Sequence, residues 1–82
     1  MSVVTTTSSL LANEIRIAEA TWDEATRVTE AYQIQLMKRK RMEHSDPAEK
    51  AHRIEEALAQ LEAAERREYA AWQQLEYLRK ML

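Results

Sequence analysis

The stretch His44-Ser45-Asp46-Pro47-Ala48-Glu49 decides how this chain folds. Asp46 reads as a helix N-cap whose carboxylate accepts an orphan backbone N–H of the first turn. Pro47 falls at N1, where a missing donor costs nothing and φ is already helical. Glu49 at N3 is placed to reach back to the cap, as in a capping box. Just upstream, Lys38-Arg39-Lys40-Arg41 puts four cations in a helix's last turn, where the negative end of its dipole attracts them. A stop followed at once by a start predicts a turn over residues 43–46, joining a helix at 9–42 to a helix at 47–82.

The flanking arms carry matching apolar periods. Leu11, Ile15, Ala18, Trp22, Ala25, Thr29, Tyr32 and Leu36 recur in alternating steps of four and three, the spacing of a coiled-coil seam. Downstream, Ile54, Ala57, Leu61, Ala64, Glu68, Ala71, Leu75, Leu78 and Leu82 follow the same rhythm, interrupted only by Glu68. Each arm spans about 50 Å at 1.5 Å per residue. Two arms of nearly equal length on a short turn predict an all-α, antiparallel two-helix hairpin, coiled-coil-like in its packing. Pairing residues about the turn sets Leu36 near Ile54, Tyr32 near Leu58, Ile15 near Leu75 and Trp22 near Glu68. The last pair is either a hydrogen bond from the indole N–H or a carboxylate wetted where the helices splay, and the reach of glutamate favours the wetted arrangement.

Composition agrees with the pattern and removes most chemistry. Ala, Glu, Lys, Leu and Arg supply 45 of the 82 residues, the usage of long helices. With no glycine, the phosphate-cradling loop and the nucleophile elbow lose the residue that adopts their backbone angles. With no cysteine, disulfides, thiolate chemistry and sulfur-bound zinc are excluded together. No apolar run approaches the roughly 20 residues that cross a bilayer, and the start lacks the basic region of a secretory signal, so a cytoplasmic location is expected. Residues 1–8, Met-Ser-Val-Val-Thr-Thr-Thr-Ser, carry no charge and no helical period. They read as a flexible tail, with Ser8 or Ser9 as the first cap and one domain over 9–82.

Two helices share a single contact line, and the apolar stripes here are wider than that line requires. Ile17, Val28 and Ala31 flank the first seam, and Ala51, Leu58 and Trp72 flank the second. A broad stripe calls for a third surface: another protein's helix laid in the groove, or a second copy completing a helical bundle. The residues expected to meet it are Ile17, Trp22, Val28, Tyr32, Leu58, Leu61, Trp72 and Leu75.

Other candidate sites are weaker. Glu49 and His52 have the Glu-x-x-His spacing of carboxylate-bridged metal bundles, but the adjacent cations at 38–41 repel a metal ion, and neither a metal nor a cofactor is expected. His44 and His52, the only histidines, sit near the turn without a nucleophile or buried carboxylate partner, so no catalytic residues and no enzyme are expected. Residues 38–53 sum to +3, whereas residues 1–37 sum to −3 and residues 54–82 to −2. The basic tip Lys38, Arg39, Lys40 and Arg41 therefore opens an alternative function in nucleic-acid association, opposed by the acidic arms. A self-assembling structural bundle is the other alternative.

At the turn, Ser45-Asp46-Pro47-Ala48 followed by a helix resembles the small hairpin proteins of type III secretion systems, both the needle subunits and their short co-chaperones. The stretch Glu65-Arg66-Arg67-Glu68-Tyr69 stands where a needle subunit carries Arg-Asn-Ala-Gln, which directs the resemblance toward a co-chaperone. It implies a non-enzymatic chaperone, adaptor or assembly component that covers a partner's apolar helix.

Overall fold

A computed structural model describes the backbone of residues 2–43 and 46–82, with side chains from residue 9 onward within those ranges. Its elements are two α-helices, α1 (Ser2–Arg41) and α2 (Pro47–Lys80). They pack against each other as an antiparallel hairpin, a rod 70 Å long and 13 × 12 Å across.

The predicted start of α2 is present as read. Asp46 is extended at φ −110° and ψ 109°, and its Oδ1 accepts a 3.0 Å hydrogen bond from the Ala48 backbone N–H. The expected capping box is not formed. Glu49 turns forward instead, where its Oε1 accepts from Arg53 Nε at 3.0 Å, because a full charge four residues ahead competes well with one backbone amide. Loss of the Asp46 carboxylate (Asp46→Ala) is expected to lower stability by about 1 kcal/mol, read as a lower urea midpoint by far-UV circular dichroism. An unchanged midpoint would show that the proline alone sets the start.

The other helix ends differ from the expected ones, the start of α1 most. α2 closes at Lys80 rather than Leu82, through bonds from Met81 N–H to Leu78 O (3.1 Å) and Leu82 N–H to Arg79 O (3.2 Å), which satisfy carbonyls left without partners. α1 runs from Ser2, well before the expected cap at Ser8 or Ser9, and ends at Arg41. The arms are therefore unequal, 40 residues against 34. Ser, Thr and Val each cost only a few tenths of a kcal/mol in a helix, and with neither glycine nor proline ahead of residue 47 an established helix has nothing to stop it. The side chains of residues 1–8, and residues 44 and 45 of the expected turn, lie outside the described residues.

Two compact clusters hold the rod together. Toward the chain ends, Ile15, Ala18, Leu75 and Leu78 are buried, with Leu11 packed on them. Toward the turn, Leu36, Ala57 and Leu61 are buried, flanked by Tyr32 and Ile54. Each expected seam position among these is where the alternating period placed it. Ala57 and Ala64, each 1% exposed, let the helix axes approach closely. Between the clusters lies a waist in which the seam residues change character. Thr29 is buried, its hydroxyl donating to Ala25 O at 3.0 Å, whereas Glu68 is half-buried and Trp22 exposed.

Candidate functional site

Helical geometry, at about 100° per residue, sorts the exposed apolar residues onto opposite edges of the seam. On one edge, Ile17, Thr21 and Val28 of α1 line shallow hollows with Ala71, Gln74 and Arg67 of α2. On the other, Trp22 and Thr26 of α1 share a groove with Glu65, Glu68, Tyr69 and Trp72 of α2. The expected partner surface is thus not one groove. Ile17 and Val28 belong to the first edge, and Trp22 and Trp72 to the second.

Leu61 and Leu75 require a correction. Leu75 is 1% exposed and Leu61 9%, each consumed in a cluster between the helices, so neither is free to meet a partner. Tyr32 is half-buried against Leu36, Ala57 and Leu61. Both leucines sit at seam positions, and a seam residue pointed at the other arm has no surface left for a third body. Leu58 and Trp72 lie one position beside the seam and stay exposed, at 39% and 42%.

The aromatic edge is the more developed of the two. Tyr69 and Trp72 stack with ring centroids 6.0 Å apart and planes 25° from parallel. Their spacing of three places them side by side on one helical face. Tyr69, Thr26 and Glu65 were not among the expected site residues. The signal for Tyr69 was its position three residues before Trp72, outside the seam rhythm and so easily passed over. Trp22 and Glu68 line the same groove, as pairing about the turn required, yet among the described residues no hydrogen bond joins them. The Thr26 hydroxyl oxygen is buried without a partner.

At the waist, then, a charged residue occupies a seam position that a leucine would fill. Glu68→Leu should join the two clusters and stabilise the hairpin by about 1 kcal/mol, visible as a raised urea midpoint. A lowered midpoint would mean that the carboxylate contributes to the fold.

The basic tip is less free than its sequence implied. Arg39 reaches across to α2, donating from Nη1 to Arg53 O at 2.9 Å and lying 3.9 Å from Glu56 Oε2. One of the four cations therefore clamps the two arms beside the turn. Along the exposed faces, Asp23–Arg27 (2.8 Å) and Glu49–Arg53 (3.0 Å) pair across one turn. Glu76 pairs with Arg79, and Arg79 also lies 3.8 Å from Glu19 on the other arm. These exposed pairs each contribute a few tenths of a kcal/mol. Among the described residues, no cluster of three potential ligands is placed to hold a metal ion, and no helix is long and apolar enough to cross a membrane. Compared with family models, curated proteins and solved structures, the chain matches none.

Proposed function

We propose that this hairpin is a non-enzymatic protein-interaction module, a chaperone, adaptor or assembly component acting in the cytoplasm by covering an apolar helix of another protein. The observation that carries this reading is the waist groove, where Trp22, Tyr69 and Trp72 stay exposed along one edge of the seam. Aromatic residues set in a groove are the usual anchors of protein interfaces. The chain exposes 6501 Å², whereas a compact protein of its 9.6 kDa would expose roughly 5,100 Å². The surplus of about 1,400 Å², a consequence of the rod shape, is larger than the roughly 800 Å² that one partner gives to a standard interface.

The Ser45-Asp46-Pro47-Ala48 turn and the hairpin architecture extend the proposal to a small component of type III secretion, as their resemblance implies. In either setting the mechanism is burial: the groove shields a partner's apolar face until that partner is assembled.

The test is copurification from the native host, followed by titration of the recovered partner. Trp72→Ala should weaken the complex by about 1 kcal/mol or more. Ile34→Ala, which removes an exposed apolar side chain on the face of α1 away from α2, should leave it unchanged. Equal affinity for wild type and Trp72→Ala would place the interface elsewhere, and a chain that remains single-copy and partner-free would overturn the reading.

A further inference from the structure

We infer that the waist groove is a recognition site for an arginine side chain carried by the partner's helix. The inference rests on the interaction-module reading and specifies the chemistry of what is bound. Three aromatic residues, Trp22, Tyr69 and Trp72, line one groove with two carboxylates, Glu65 and Glu68. Among the described residues neither carboxylate has an ion-pair partner, although arginines elsewhere on the rod pair with acids on their own or the opposite arm.

Each component selects for a cation. Aromatic faces carry the negative lobe of the ring quadrupole and attract a cation held within about 6 Å of the ring centre. A purely apolar side chain set against the half-buried Glu68 would take water from its carboxylate and return nothing to it, so within an otherwise apolar partner face one cationic side chain fits here. An anion would be repelled by both carboxylates.

Among cations, a guanidinium suits the site better than an ammonium. It is flat, weakly hydrated and able to stack on a ring while its edge donates to carboxylates. The stacked Tyr69–Trp72 pair lines the groove beside both carboxylates. The hollows of the opposite edge have no aromatic lining, and Arg67 lies there beside Glu24; on the aromatic edge Arg66 lines an adjoining hollow with Glu65 and Tyr69 but, among the described residues, pairs with neither groove carboxylate. The net acidity of both arms further favours a basic partner.

The probe is butylguanidinium, titrated against the intact chain by tryptophan fluorescence at low salt, with neutral butylurea as its isostere. Butylguanidinium should give a saturable change and butylurea none. The Glu65→Gln/Glu68→Gln double variant should weaken binding roughly five- to tenfold, and Tyr69→Ala, which keeps both indoles as reporters, should weaken it as much. Both substitutions lie outside the two packed clusters, and far-UV circular dichroism confirms that each variant is folded before it is compared. Equal responses to the two probes, or to wild type and the double variant, would overturn the arginine site. That failure would leave the apolar-partner proposal standing on its own titration. If butylguanidinium instead dissolves a homodimer that Lys38→Ala/Arg41→Ala also abolishes, the occupant is a second copy's tip and the assignment to a different protein is wrong.

Discussion

Leu75→Ala is expected to destabilise the hairpin by about 3 kcal/mol, enough to unfold much of the population of so small a fold. Among the described residues Leu75 is the largest fully buried side chain, 1% exposed in the cluster with Ile15, Ala18 and Leu78. Truncation removes its transfer free energy and opens a void that only one facing helix can close. Because the hairpin has a single line of contact, there is no second layer to compensate. Urea unfolding by far-UV circular dichroism reads the change. Leu58→Ala is the internal comparison, since Leu58 is 39% exposed and should cost much less. Comparable losses at the two positions would show that Leu75 does not anchor the fold. Any loss of partner binding by Leu75→Ala is then a loss of the folded hairpin, which separates it from Trp72→Ala.

The second large effect comes from adding volume. Ala57 is 1% exposed and packs with Leu36 and Leu61 near the turn. Ala57→Leu would force the helix axes apart where Arg39 holds them by its bond to Arg53 O. Overpacking of a filled site costs about 1–3 kcal/mol, and the upper part of that range is expected because the clamp resists the displacement. Thermal unfolding measures it, with Ala59→Leu on the exposed face as the control. A neutral Ala57→Leu would mean that the turn end is loosely packed and that alanine is incidental there.

Much of the architecture was legible because it depends on local chemistry and a repeating period. Asp46 and Pro47 start a helix through interactions within a few residues of themselves, and the alternating steps of four and three identify Ile15, Leu36, Leu61 and Leu75 as seam residues. Three features are not legible in the pattern, each for its own reason. Residues beside the seam and residues in it are both apolar, so the period does not separate Leu61 and Leu75, buried between the arms, from groups left for a partner. Ser, Thr and Val weaken a helix without breaking it, which hides the early start of α1. Arg53 offers the Glu49 carboxylate a better partner than the cap.

The sequence by itself determined that two helices form, where the second begins, and which line of residues joins them, since caps, turn residues and hydrophobic period act over a few residues. Only the tertiary structure decided which apolar groups remain available. Exposure beside a seam depends on the packing of the opposite arm, and the gathering of Trp22 with Tyr69, Trp72, Glu65 and Glu68 depends on a register set across some 45 intervening residues. That register follows from close packing of the two clusters, a property of both arms together.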